Sequence, residues 1–226
     1  MSDLNVPPQC HLCTTTNCYR KNASFPSICI TAAGIVELDS VRERYRTDVE
    51  ANRVLRVAAQ TEARAYGKMT RVEETIEFAR EMGYRKIGIA SCVGLAREAN
   101  LFGRMLSRNG FDVCGVICKV GAIDKTELGI PEEHKLKPGC FEAACNPLLQ
   151  AELLNREKTD FNVMIGLCVG HDSLFIKHSN APVTVLIAKD RVLVHNPAAA
   201  LYASGFYYQH LMQVEPNKIS PEPLDC

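Results

Sequence analysis

The chain has 226 residues, enough for one ordinary domain with a small appendage, and its 26 basic and 26 acidic side chains cancel. With no net charge there is no overall basic field to recruit nucleic acid, and neither a secretory signal pattern nor an apolar run of membrane-spanning length is present, so a soluble, cytoplasmic protein with no nucleic-acid or membrane partner is expected. Eleven cysteines, an odd number in a reducing compartment, point to metal or redox chemistry and away from a disulfide framework.

Residues 1–34 carry Cys10, Cys13, Cys18 and Cys29 among polar residues and prolines, with too few large apolar side chains to build a core. A bound metal is the expected staple, so the reading is a cysteine-rich metal-binding segment over 1–34 ahead of an α/β domain over 35–226. The spacing Cys10-x2-Cys13-x4-Cys18-x10-Cys29 resembles both zinc-ribbon and cluster-binding loops and does not separate them, and His11 is an alternative ligand. From Asp39 to Tyr66, Val41, Tyr45, Val49, Val54, Leu55 and Ala58 mark the apolar stripe of one long helix, ended by Gly67. Thr70 and Glu73 form a capping box for a helix reaching about Met82, and Gly83 closes it.

The remainder alternates between strand and helix patterns. Strand 87–91 leads to a helix near 94–108, strand 111–117 to a polar loop around 121–139 and a helix from Pro147, and strand 161–167 to a short helix at 171–178. A strand follows at 183–188, Lys189-Asp190-Arg191 reads as a charged hairpin turn into Val192-Leu193-Val194, and a short helix follows Pro197. The tail after Gln213 carries three prolines and is expected to be irregular. Four or more strands joined by helical crossovers imply an α/β fold with a doubly wound, mostly parallel sheet.

Three strands stop at a cysteine followed closely by Val-Gly: Cys92 before Gly94, Cys118 before Gly121, and Cys168 before Gly170. Parallel strands gather their carboxyl ends along the edge where α/β proteins take ligands, so these thiols are expected to meet there. Cys145 is the natural fourth. In Ala144-Cys145-Asn146-Pro147 the asparagine reads as a helix N-cap and the proline as the first helical residue, a place that favours a thiolate. Four thiolates from four loops suit a [4Fe–4S] cluster or a zinc site with four cysteine ligands. The alternative is that each is a small apolar core residue, a common role for free cysteine. Cys140 is the substitute fourth ligand, Cys114 reads as core, and Cys226 as uninvolved.

Beside the edge, His171 is placed to approach the metal, donate a proton or bind substrate, which makes it the candidate catalytic residue, although Asp172 capping a helix beside a surface histidine explains the same pattern. Gly94, Gly170 and Lys119 are the candidates for lining a bound cofactor, the lysine by offsetting an anionic cluster. His195-Asn196-Pro197 reads as a strand end and helix cap. No phosphate-binding or dinucleotide-binding glycine motif, nucleophile elbow or H-E-x-x-H occurs.

The stretches Cys145-Asn146-Pro147 with Gln150–Asn155, Gly166–Phe175, Ala181–Val185, and Asp190–Leu193 with His195-Asn196-Pro197 resemble a family of small, cysteine-rich prokaryotic proteins, the domain of unknown function 1847, found largely in anaerobes and often described as metal-binding. The resemblance covers nearly the whole chain, and its most specific part is Cys168-Val169-Gly170-His171-Asp172. It implies that Cys92, Cys118, Cys145, Cys168 and the amino-terminal group are recurring cysteines, with Cys114 and Cys140 as departures. It implies a metal but no reaction.

Three functions fit these residues. The leading one is an iron–sulfur protein with one or two [4Fe–4S] clusters, exchanging electrons with a redox partner or reducing a small ligand at the edge. The second is a zinc-stabilised binding module without a redox role, zinc being above all the alternative for the amino-terminal site. The third is a thiol enzyme handling sulfur, with Cys168 as nucleophile and His171 as base.

Overall fold

The computed structural model describes residues 7–20, 24–33 and 38–213. The proline-containing tail after Gln213, with Cys226, lies outside the described residues. The chain divides into two compact units between Arg56 and Val57.

In the first unit, Cys10–Leu12 forms a single 3-10 turn, followed by α1 (Asn17–Arg20), α2 (Ile30–Ala33) and α3 (Leu38–Thr47). Neither the turn nor α1 and α3 buries a residue. The long helix expected over 39–66 is two helices, because Asp48 interrupts it and turns its carboxylate onto the Ala51 amide, 2.9 Å away. Side-chain capping of this kind competes with helix continuation, so α4 (Val49–Ala65) begins afresh.

In the second unit, α5 (Arg71–Glu81) opens on the capping box, with Thr70 accepting from the Glu73 amide and the Glu73 side chain accepting from the Thr70 amide. The sheet strands are β1 (Lys86–Ser91), β2 (Asp112–Ile117), β3 (Phe161–Ile165) and β4 (Val183–Ile187). Between and after them come α6 (Ala96–Arg108), α7 (Pro147–Arg156), α8 (His171–His178) and α9 (Ala198–Tyr202). All pairings are parallel, in the order β2-β1-β3-β4.

Strand alternation builds two cores, one on each face. Ile87, Ile89, Phe161, Val163 and Ile165 face α5 and α6, where Ile76, Ala79, Phe102 and Leu106 meet them. Ala90 and Met164 face the other way, against Ala151 and Leu154 of α7 and Phe175 of α8, and Cys92 and Cys118 belong to this second core. With right-handed crossovers, a connection running left and one running right must lie on opposite faces. The α6 crossover moves from β1 out to β2, whereas the α7 crossover returns past β1 to β3. The chain is therefore an α/β protein with a doubly wound parallel sheet, and its direction reverses between β1 and β3.

Two fully buried polar side chains hold the second face together. Asn162 Oδ1 accepts from Thr159 Oγ1 at 2.8 Å, and its Nδ2 donates to Ser179 Oγ at 2.8 Å. Gln150 Nε2 donates to Ser91 O at 3.2 Å and Val116 O at 2.7 Å, pinning the ends of β1 and β2 to α7. Asn162 fits only because Gly88 has no side chain, since a Cβ there would stand 2.0 Å from Asn162 Oδ1. Gly88→Ala is expected to displace that amide and lower stability by about 2–3 kcal/mol, read as a reduced urea midpoint with an unchanged slope.

Candidate metal centre

Register delivers the thiols. Ser91 pairs with Ile117 on one side and Ile165 on the other, so β1, β2 and β3 end level. One residue further, the Cys92 amide donates to Ile165 O and the Cys118 amide to Ser91 O, which extends the ladder into both cysteines. Both side chains then fall on the α7/α8 face. Cys168 follows β3 and precedes Gly170, which caps α8 at φ +86°, a conformation that disfavours any residue with a Cβ.

Cys145 arrives from the long connection after β2. Its two neighbours are fixed: the Ala144 amide donates to Ile123 O and the Asn146 amide to Cys118 O, each at 2.8 Å. Asn146 Oδ1 caps α7 on the Leu149 amide, as its sequence suggests. The connection itself is a polar knot. Lys135, almost wholly buried, pairs with Asp124 at 2.8 Å and Glu132 at 2.9 Å, while Glu142 takes Lys125 and the amides of Leu136 and Lys137. Lys135 and the Thr126 and Glu142 amides hold the Asp124 carboxyl far below the usual range. Cys140 lies in this knot and is not among the free thiols.

The sulfurs form one close pair and two cation-bound singles. Cys145 and Cys118 lie 3.9 Å apart, and the Val93 amide donates to Cys118 at 3.3 Å. Lys189 Nζ donates to Cys92 at 3.3 Å, and Arg191 Nη2 to Cys168 at 3.0 Å. Lys119 donates to Ala143 O beside the close pair. Among the described residues, no three His, Cys, Asp or Glu side chains converge closely enough to hold a single metal ion. In the amino-terminal segment Cys10 and Cys18 are exposed and Cys13 and Cys29 half-buried, and Cys13 Sγ lies 3.6 Å from Thr15 Oγ1.

Gly94 comes near the same group, since a Cβ there would meet Lys189 Nζ at 3.2 Å. His171 is the first residue of α8, and its Nδ1 is buried without a hydrogen-bond partner among the described residues. Cys114 is partly buried against the second core.

Sequence reading missed Lys189 and Arg191. The hairpin expected at 189–194 does not form, because Asp190 consumes the groups a strand would need. Its carboxylate accepts the amides of Val192 and Leu193 at 2.9 and 2.7 Å, its own amide donates to His195 Nδ1 at 3.1 Å, and its carbonyl accepts the His195 amide. Val194 and His195 adopt left-handed φ values of 51° and 61°. The result is a tight loop that aims Arg191 at Cys168. The available signal was two cations placed directly after a strand's carboxyl end.

An α/β protein with thiols matched by fixed cations at the carboxyl ends of its parallel strands is the class that fold and geometry define. Residues 29–186 match the model of a protein family of unknown function, DUF1847, and the chain belongs to that family. An uncharacterized protein of Methanocaldococcus jannaschii is 47% identical over 171 residues, covering 76% of this chain and 86% of the relative. No helix among the described residues is long and apolar enough to cross a membrane.

The close pair titrates as a unit holding one proton. The contact with Cys118, then Lys119 and His171, bring Cys145 down from 9.0 to about 5 despite burial. Cys118 is pushed far up by the same contact and by burial. Cys145 therefore contributes stability that is complete above its ordinary value of 9.0 and lost as pH falls toward 5. Cys118 has the opposite sign, and its contribution disappears as pH rises above 9.0. In metal-free protein, iodoacetamide should alkylate Cys145 with an apparent midpoint near 5, and Cys118→Ala should move that midpoint up toward about 8.5. An unchanged profile in the variant would remove the shared proton.

Proposed function

We propose that Cys92, Cys118, Cys145 and Cys168 hold one [4Fe–4S] cluster at the sheet edge, and that the protein transfers electrons or reduces a small ligand there. The observation that carries this reading is the match between thiols and cations. Lys189 serves Cys92, Arg191 serves Cys168, and Lys119 stands beside Cys118 and Cys145. Four thiolates around a metal centre leave excess negative charge, which fixed cations and amide N–H groups offset. The Val93 amide on Cys118 is such a donor. When bound, the cluster supplies one-electron chemistry. Gly94 and Gly170 put no side chain beside it, and His171, near Cys145, would donate the proton that reduction of a bound ligand takes up, whereas electron transfer alone needs none.

The amino-terminal cysteines fit a second centre, a cluster or zinc. Nothing in the Cys10–Leu12 turn or α1 is buried, so apolar packing does not hold these residues in place. Limited proteolysis should then cut near Cys13 and Cys18 after chelation and spare them in loaded protein, and identical patterns would refute the staple.

A second reading rests on the 3.9 Å contact between Cys118 and Cys145, with the second as thiolate. That pair is set for thiol–disulfide chemistry, and a disulfide there would leave Cys92 and Cys168 with their cations. Anaerobically purified protein decides between the readings. Brown protein with about four iron and four sulfide per edge centre is expected, losing that centre on Cys168→Ala. His171→Asn should keep the iron and change the pH dependence of the midpoint potential. Colourless, zinc-loaded protein would end the cluster reading, and metal-free protein that loses two hydrogens on oxidation at Cys118 and Cys145 would establish the second.

A further inference from the structure

Strand β2 is one margin of the sheet, and among the described residues no strand pairs with its outer side. The Asp112 amide donates to Arg85 O and the Cys118 amide to Ser91 O, so even-numbered residues turn their backbone groups to β1. Val113, Gly115 and Ile117 turn theirs outward. Among the described residues, the N–H and C=O of Val113 and Gly115 and the N–H of Ile117 have no partner, while Ile117 O accepts only the Val120 amide in a turn. Natural proteins usually cover or charge such an edge.

Here the edge borders a groove of about 560 Å³ between β2 and α6, lined among others by Ala99, Gly103, Val113 and Gly115. A Cβ on Gly115 would meet nothing within 4 Å, so the groove has room above the sheet, on the α6 face, for the side chains of a strand added beside β2. Arg104 and Arg108, one helical turn apart, complete the lining. Neither arginine has an ion pair or side-chain hydrogen bond among the described residues, whereas Arg71 and Arg80 of α5 are both so engaged.

We propose that this groove receives an extended acidic segment of another protein, which adds to β2 as a fifth strand and sets a carboxylate against Arg104 and Arg108. Main-chain hydrogen bonds to Val113, Gly115 and Ile117 supply the sequence-independent part of recognition, and the two guanidinium groups select charge. A second copy of this chain is the poorer occupant. Pairing β2 with β2 about a two-fold axis normal to the sheet would put both copies of α6 on one face, with Arg104 and Arg108 confronting their equivalents. This proposal does not depend on the metal centre, which lies on the opposite face.

The test uses the full chain and a fluorescein-labelled peptide alternating valine with glutamate. Anisotropy should report binding, and hydrogen exchange should slow at Val113, Gly115 and Ile117. Arg104→Glu with Arg108→Glu should weaken the peptide by about tenfold or more, and a valine–lysine peptide should not bind. Gly115→Pro removes only an outward N–H, so it should fold and lose the peptide. The proposal is overturned by no anisotropy change up to about 1 mM. Equal affinity in the charge-reversed variant, or protection elsewhere, also overturns it. A doubled mass in solution that Gly115→Pro abolishes would assign the edge to a second copy instead.

Discussion

Parallel pairing of β1 with both neighbours is the constraint on which the rest depends. Because Ser91 is level with Ile117 and Ile165, the first residues past β1 and β2 emerge side by side, and both are cysteines. A slip of one residue in either pairing would send one thiol to the α5/α6 face and leave the other alone. The register is secured from beneath by Gln150, whose single amide grips the last turns of two strands. Its Oε1 is buried without a partner among the described residues, so the position has been kept polar at some energetic cost.

Charge is distributed around the edge with a division of labour. The knot between β2 and α7 satisfies its own ions internally, Lys135 with Asp124 and Glu132, Lys125 with Glu142. None of those carboxylates is left to compete for the cations beside the thiols. Asp190 behaves alike, its Oδ1 accepting two backbone amides while Arg191 is left to Cys168. The site therefore stays cationic until its thiols ionise, and partial burial strengthens the Lys189–Cys92 pairing more than the exposed Arg191–Cys168 one.

Much of the sheet is legible in the chain because β-branched runs, capping residues and terminating glycines agree with one another. Thr70 with Glu73 and Asn146 with Pro147 mark helix starts that the structure reproduces. Asp48 gives no sequence sign of a break, since one acidic residue in a charged helix face looks like any other until its carboxylate is seen on Ala51. Lys189 and Arg191 escape for a related reason. A Lys-Asp-Arg triplet after a strand has the composition of a turn, and only side-chain capture by Asp190 converts it into a bracket for two cations. Gln150 sits amid the leucines of α7, and sequence alone cannot tell a buried amide from one at the surface.

The left-handed pair Val194 and His195 has a consequence for how this loop tolerates change. Left-handed backbone costs a residue with a Cβ about 1–2 kcal/mol, and a β-branched one is least at ease there. Neighbouring contacts, above all the Asp190 amide on His195, hold the chain in this shape. Glycine at 194 would relax the backbone and at the same time widen the range of conformations open to Arg191. Rigidity and comfort are opposed at this corner of the molecule, and the chain has settled on rigidity.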